Sequence, residues 1–193
     1  MKRICVFCGS SSGTNPIYLE TAEKVGKFLA AGNVELVYGG GRVGLMGKIA
    51  DTVLANGGKV IGVIPESLAV KEVAHQDLTE LQVVGSMHER KALMAEYADG
   101  FVALPGGFGT FEEFCEIVTW AQLGIHQKPC ALLNVGGFYD NLIAMFDFST
   151  AQNFIRSEHR RLVLVESDIG KLYELMINFR PPDIEKWLDK KST

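Results

Sequence analysis

Short apolar runs, many rich in β-branched residues, alternate along the chain with longer stretches of helical periodicity. The runs predict strands at 3–7, 34–38, 60–64, 81–84, 101–104, 130–133 and 162–165. Apolar residues spaced three and four apart predict helices at 17–31, 45–56, 87–98, 110–123, 139–152 and 168–179. The stretch between Pro65 and Thr79 is weakly patterned, which is typical of an active-site loop or a short extra helix.

This alternation predicts the fold class. Strands that alternate with helices form a parallel sheet with helices on both faces. Because crossover connections are right-handed, a single Rossmann-like, doubly wound α/β sheet is the simplest topology, with ligands outside the carboxyl ends of the strands. A chain of 193 residues suits one such core. We therefore expect one Rossmann-like domain at 1–180 and a polar C-terminal tail at 181–193.

The charge balance argues against polyanionic partners. The chain has 19 Lys and Arg against 23 Asp and Glu, a net charge of −4, and so lacks the basic footprint of a protein that binds nucleic acid or anionic membrane. No apolar run approaches the ~18 residues of a membrane helix, and the first run is too short for a secretory signal. We expect a cytoplasmic protein whose partners are small molecules or other proteins.

Metal-ligating residue types are dispersed. Cys5 and Cys8 form a C-x-x-C pair, but residues three apart in a strand point to opposite faces, so we interpret both as core or loop residues. The four histidines, at positions 75, 88, 126 and 159, show no metal-site spacing. We predict no metal and no bound cofactor.

Glycine is the one strongly enriched residue, at 21 of 193, against a typical ~7%. Ten of these glycines lie in three turns at 8–13, 39–47 and 105–110, each after a predicted strand and before a predicted helix. Such turns present backbone N–H groups and a helix N-terminus to phosphate, although glycine also simply permits tight turns. The candidate phosphate-binding residues are Gly9, Ser10, Gly39, Gly40, Gly41, Gly44, Met46, Gly47 and Gly106.

The second turn also fits a different ligand. Gly39 to Gly44 reads G-x-G-x-x-G after a strand, and Glu66 lies near the end of the next strand, where a ribose-binding acid would be in a dinucleotide enzyme. A nicotinamide-dependent oxidoreductase therefore stays open as an alternative. A non-catalytic nucleotide-binding protein stays open as well.

Two charged residues lie at unusual helical positions. Arg90 shares its helical stripe with Met87 and Met94, so it faces inward and needs an anionic partner, either a ligand or a buried carboxylate. Glu113 follows Thr110 by three residues, which predicts a capping box at the start of the helix. The same carboxylate, one turn into a helix that begins at a phosphate-type loop, would also point at a bound ligand.

Three motifs carry a family resemblance: G-G-G-R-V-G-L-M-G at 39–47, M-H-E-R-K at 87–91 and P-G-G-F-G-T-F-E-E at 105–113. With them the chain resembles the LOG ("lonely guy") family from its first strand to about residue 165. The resemblance implies a nucleotide-binding Rossmann-like domain, a homodimer, and hydrolysis of the N-glycosidic bond of AMP or N6-prenylated AMP, a cytokinin nucleotide, to free base and ribose 5-phosphate. Family members are often labelled lysine decarboxylases, but no lysine here stands out as a pyridoxal phosphate site.

The resemblance also implies functional residues. Arg90 and Glu113 match the pair treated as catalytic in the family. The implied nucleotide contacts are Glu72, which only its spacing to Arg90 supports, and Lys91, Gly107, Phe108, Gly109, Thr110, Phe111, Glu112 and Thr119. We expect Glu113 to stabilise a ribosyl cation and to orient or deprotonate the attacking water, while Arg90 offsets charge on the purine or fixes the phosphate.

Overall fold

The computed structural model describes residues 1–69 and 74–182. Its strands are β1 (Arg3–Phe7), β2 (Glu35–Tyr38), β3 (Val60–Pro65), β4 (Glu80–Val84), β5 (Gly100–Ala103), β6 (Cys130–Leu133) and β7 (Val163–Glu166). They form a seven-stranded sheet in the order β4-β3-β2-β1-β5-β6-β7. Every neighbouring pair is parallel. Residues 183–193 of the predicted tail lie outside the described residues, as does Glu72.

Helices cover both faces of this sheet. They are α1 (Ile17–Ala31), α2 (Gly44–Ala55), α3 (Glu66–Leu68), α4 (Met87–Tyr97), α5 (Phe108–Gln122), α6 (Asp140–Ala151), α7 (Ser157–Arg160) and α8 (Ile169–Ile177). One apolar cluster joins the sheet to α1, α2 and α8, and a second joins it to α4, α5 and α6. This confirms the doubly wound α/β fold. Among the described helices, none is long and apolar enough to cross a membrane.

The side chains of strand β1 contribute to both apolar clusters. Ile4 and Val6 point into the first cluster and Cys5 into the second, as the two-residue period of a strand requires. Cys8, just past the strand, lies in the first cluster, so the two cysteines of the C-x-x-C pair are on opposite faces. All four cysteines are free, and burial raises the pKa of the thiols of Cys5 and Cys8. The interpretation of this pair as core or loop residues is confirmed, with Cys5 in the core and Cys8 buried at the start of the loop.

The sheet order places a switch point between β1 and β5, because successive connections run in opposite directions from these two strands. The loops that follow them meet there: the N–H of Gly9 donates to the carbonyl oxygen of Pro105 over 3.0 Å. The N–H of Leu45, at the start of α2, donates to the carbonyl oxygen of Gly9 over 3.0 Å. The three glycine-rich turns are therefore hydrogen-bonded together at one edge of the sheet.

Candidate active site

A cavity of about 410 Å³ opens at the switch point, which is within the size range of small-molecule sites. Its walls come from the three glycine-rich turns, the end of β3, and helices α3, α4 and α5. The lining residues are Cys8, Gly9, Ser10, Gly39, Gly41, Met46, Ile64, Leu68, Arg90, Gly107, Phe108, Gly109, Thr110 and Glu113. The structure thus brings residues of all three predicted turns into contact with one space.

Arg90 enters this cavity from the first turn of α4. The hydroxyl of Ser86 caps that helix by accepting the N–H of Glu89, so Arg90 lies one turn from a defined helix start. The side chain is buried, and its Nε donates to the carbonyl oxygen of Val63 over 3.1 Å. Its Nη1 lies 3.0 Å from Oε1 of Glu113 on α5. The anionic partner that the helical stripe required is therefore a buried carboxylate that itself borders the cavity.

Glycine at position 39 provides the space for this guanidinium. A Cβ at Gly39 would overlap Nη2 of Arg90, although the backbone of Gly39 is not in the left-handed region. Gly44 has a different role, because its φ is +61° and a Cβ there would overlap the backbone of Ser10. One glycine is thus required by a side chain that borders the cavity, and the other by the packing of two turns.

Glu113 does not form the predicted capping box. Helix α5 begins at Phe108 with Gly107 as its N-cap, so Thr110 and Glu113 both lie inside the helix. The extended backbone of Gly107 lets the helix start earlier than its apolar periodicity indicates. The predicted capping box is therefore wrong. Among the described residues, Arg90 is the one hydrogen-bonding or ionic partner of the Glu113 carboxylate.

Burial dominates the electrostatics of Glu113. Desolvation raises the pKa of its carboxyl, the positive charge of Arg90 lowers it, and the negative charge of Glu112 raises it again, leaving the pKa above its ordinary value. A carboxyl whose pKa is raised by burial at the wall of a ligand cavity is typical of a group that takes part in acid–base chemistry.

The N-terminus of α5 supplies the other electrostatic feature. No side chain caps this helix, and the residues of its first turn line the cavity from Gly107 to Thr110. The first N–H groups of a helix have no partner within the helix, and its dipole favours negative charge there. Helix α2 also begins without a side-chain cap, at the second glycine-rich turn. The arrangement suits a phosphate or another anion.

Other predicted contacts point away from the cavity. The Nζ of Lys91 contacts the carboxylates of Glu112 and Glu116 on α5. Thr119 is exposed, and its hydroxyl donates to the carbonyl oxygen of Cys115 over 2.7 Å.

Phe111 and four of the predicted glycines also stay off the cavity wall. The ring of Phe111 packs against the rings of Phe138 and Tyr139. The predicted glycines that shape the turns without lining the cavity are Gly40, Gly44, Gly47 and Gly106.

Three lining residues were not predicted: Cys8, Ile64 and Leu68. Cys8 and Ile64 stand at the carboxyl ends of strands, so a search of every strand end at the sheet edge would have included them. Leu68 lies in α3, inside the weakly patterned stretch, and no sequence signal marks it.

Within 1–69 and 74–182, no group of three or more His, Cys, Asp and Glu could hold a metal ion.

The G-x-G-x-x-G turn does not have the position of a dinucleotide fingerprint. That fingerprint follows the strand at the switch point, whereas Gly39 to Gly44 follows β2, the next strand out. Glu66 is exposed at the start of α3 and does not line the cavity. The geometry therefore does not favour the oxidoreductase alternative.

Fold and site together define a class: a Rossmann-like α/β protein whose ligand cavity combines an uncapped helix N-terminus with a buried arginine–glutamate pair. A family model described as "Possible lysine decarboxylase" matches residues 46–176. "Cytokinin riboside 5′-monophosphate phosphoribohydrolase LOG2" of Arabidopsis thaliana is 47% identical over 93% of this chain and 84% of its own. "Probable cytokinin riboside 5′-monophosphate phosphoribohydrolase LOGL9" of Oryza sativa subsp. japonica is 52% identical over 93% and 79%. The chain belongs to this family, the LOG family, as its motifs indicated.

Solved structures share the fold at lower identity. The molybdenum cofactor binding protein from Rippkaea orientalis is 22% identical, with a TM-score of 0.69, over 92% of this chain and 97% of its own. The molybdenum cofactor carrier protein from Chlamydomonas reinhardtii is also 22% identical, with a TM-score of 0.68, over 92% and 98%. These similarities establish the Rossmann-like fold alone.

Proposed function

We propose that this protein hydrolyses the N-glycosidic bond of purine nucleoside 5′-monophosphates, AMP or N6-prenylated AMP, to free base and ribose 5-phosphate. The observation that carries the proposal is the buried Arg90–Glu113 pair, 3.0 Å apart, in a cavity bordered by the uncapped N-terminus of α5. Relatives at 47–52% identity are named as phosphoribohydrolases of cytokinin riboside 5′-monophosphates, which supports the same chemistry here.

The reaction needs opposite charges at its two ends. As the bond from C1′ to the purine nitrogen breaks, its electron pair stays on the purine and the ribosyl carbon becomes cationic, by analogy with glycoside hydrolysis. In our proposal the carboxylate of Glu113 stabilises this cation and accepts a proton from the attacking water, whose oxygen bonds to C1′. The purine takes up a proton as it leaves, so water is consumed and the charge balances.

Arg90 and the helix N-terminus would bind the anionic groups. Nη1 and Nε of Arg90 are held by Glu113 and Val63, whereas Nη2 beside Gly39 makes no hydrogen bond within the described residues. We propose that Nη2 donates to the ligand, offsetting charge on the purine or fixing the phosphate. The first turn of α5 would anchor the 5′-phosphate, and that remote binding would align the bond for attack.

We also propose a cytoplasmic homodimer. No residue of α6 is buried in the single chain, and Met145 and Phe148 on this helix are 58% and 60% exposed. Phe154, just beyond it, is 88% exposed, and a second copy would cover this apolar surface. The four free cysteines fit a reducing compartment. Light scattering on the purified protein tests the dimer, and a mass of 21.1 kDa would contradict it.

The test of the activity is chromatography of the purified protein incubated with AMP and, separately, N6-isopentenyl-AMP. We expect free base and ribose 5-phosphate in equal amounts, and much slower release from adenosine, which lacks the phosphate. Glu113→Gln keeps the shape of the side chain but removes the base, and should lower the rate at least ~100-fold while the protein still folds. Lys24→Met, which removes an exposed ion pair with Asp168, is the control.

Each other outcome supports a different class of protein. Binding of AMP without consumption would support a nucleotide carrier or sensor. Fluorescence transfer to bound NAD(P)H without base release would support an oxidoreductase. Full activity of folded Glu113→Gln would remove Glu113 from the mechanism.

A further inference from the structure

Lys91 follows Arg90 on α4, but its side chain points in a different direction from that of Arg90. It does not line the cavity. Its Nζ contacts Oε1 of Glu112 and lies 3.0 Å from Oε2 of Glu116, two carboxylates one turn apart on α5. Helices α4 and α5 are thus joined by an inner ion pair, Arg90 with Glu113, and by an outer cluster of Lys91 with Glu112 and Glu116.

We propose that Lys91 is a positioning residue: by pairing with Glu112 and Glu116 it holds α4 at the distance from α5 at which Arg90 and Glu113 act together. This role differs from the substrate contact that the family resemblance implies for Lys91. The inference rests on the proposed function, because base release is the activity that the cluster would support.

The packing of the two helices explains why such a cluster matters. Helix α4 packs on β1, β2, β3 and β4, whereas α5 packs on β1, β5 and β6, so the two helices have only β1 in common. Side chains therefore bridge much of the space between them. The separation of Arg90 from Glu113 depends on how these bridges are held.

The ammonium of Lys91 is already engaged. Its side chain is only 9% exposed, and both of its ionic partners approach it from α5. Burial lowers the pKa of Lys91, but the hydrogen bonds to Glu112 and Glu116 outweigh burial and leave the pKa raised. To bind a phosphate, this lysine would have to break those contacts and leave two carboxylates next to each other without a cation.

The cluster also acts on Glu113 through charge. Lys91 lowers the pKa of Glu113, whereas Glu112 and Glu116 raise it. The charged or titratable groups that face Glu113 from α4, α5 and β1 are Arg90, Lys91, Glu112, Glu116, Cys5 and Cys8. Loss of Lys91 should therefore move the pKa of Glu113 up, and loss of the two outer carboxylates should move it down.

Steady-state kinetics of base release from AMP test the proposal with Lys91→Met, the double variant Glu112→Gln/Glu116→Gln, and the triple variant. We expect kcat to fall about tenfold or more in each, with KM within about twofold of wild type. The triple variant should be no worse than Lys91→Met alone, because the three residues act as one unit. When kcat is plotted against pH, the acid limb reports the pKa of Glu113. This limb should move to higher pH in Lys91→Met and to lower pH in the double variant. Lys24→Met is the matched control.

A substrate contact gives the opposite pattern. If Lys91 bound the phosphate, Lys91→Met would raise KM, and the double variant, which frees the ammonium, would lower it; either result overturns the proposal. If wild type releases no base, the proposed function fails. The role of Lys91 is then tested by measuring the affinity for AMP by calorimetry. Lys91→Met should bind AMP as tightly as wild type does, and weaker binding overturns the positioning role. Should Lys91→Met fail to fold, the double variant carries the same comparison.

Discussion

Replacement of Gly39 by alanine should disturb the inner ion pair without touching either charged residue. The backbone of Gly39 is outside the left-handed region, so alanine can adopt its conformation. The added Cβ would overlap Nη2 of Arg90, and the guanidinium must move. It is held at 3.1 Å from the carbonyl oxygen of Val63 and at 3.0 Å from Oε1 of Glu113, so any movement weakens one contact or both.

The size of the effect follows from these two contacts. A hydrogen bond to a charged group contributes about 1.5–3 kcal/mol, and overpacking of a buried site costs about 1–3 kcal/mol. Because the guanidinium can keep one of its contacts as it shifts, we expect the free energy of unfolding to fall by about 1–3 kcal/mol. Displacement of a catalytic group by about 1 Å costs on the order of 10²-fold in rate, so we expect kcat to fall by about that factor.

Urea denaturation and base release from AMP measure the two quantities on Gly39→Ala. Gly32→Ala is the matched control: Gly32 has a φ of −82°, and a Cβ there would meet the carbonyl oxygen of Phe28 at an ordinary 3.4 Å. The control should keep wild-type kcat. Wild-type stability and kcat in Gly39→Ala would refute the reasoning, as would equal losses in both variants.

Two further predictions concern buried polar groups. Burial raises the pKa of Glu113, so its contribution to stability is complete below the ordinary carboxyl pKa of 4.5 and is lost as pH rises through the raised value. The free energy of unfolding of wild type relative to Glu113→Gln should therefore fall as pH rises from 4.5, and a constant difference would contradict this. The hydroxyl of fully buried Tyr139 donates to the carbonyl oxygen of Leu104 over 2.6 Å, so Tyr139→Phe should cost about 1–3 kcal/mol in urea unfolding, whereas half-buried Tyr173→Phe should not. Equal midpoints for the two variants would disprove that cost.

Periodicity predicted most of the fold because the sheet is buried on both faces. Central parallel strands then form uninterrupted apolar runs, and the observed bounds of β1 and β6 coincide with the predicted ones. Helix α1 also has its predicted ends, since it carries a clear apolar stripe over several turns. Helices α3 and α7 have three and four residues, too few to show a helical period, and α7 was not predicted.

The wrong capping box shows where local motifs mislead. Thr110 and Glu113 have the spacing of a box, but residues three apart also face each other inside any helix. Gly107 takes the N-cap position in an extended conformation, so Phe108 and Gly109 are already helical. The turn before α5 also meets the first glycine-rich turn, where the N–H of Gly9 donates to the carbonyl oxygen of Pro105, and a local motif cannot show this contact because it joins residues far apart in the sequence.

A family motif does not show in which direction each of its side chains points. Arg90 and Lys91 are adjacent in one motif, but successive residues of a helix point about 100° apart, so only Arg90 lines the cavity, although both pair with carboxylates of α5. The two carboxylates that receive Lys91 stand four residues apart on α5, a spacing that puts them on one face of that helix. Their partner comes from a different helix, and the sheet order decides which helices lie side by side. A lysine that a family motif places among substrate contacts thus acquires, from its ion pairs with two carboxylates of α5, the role of holding its neighbour in place.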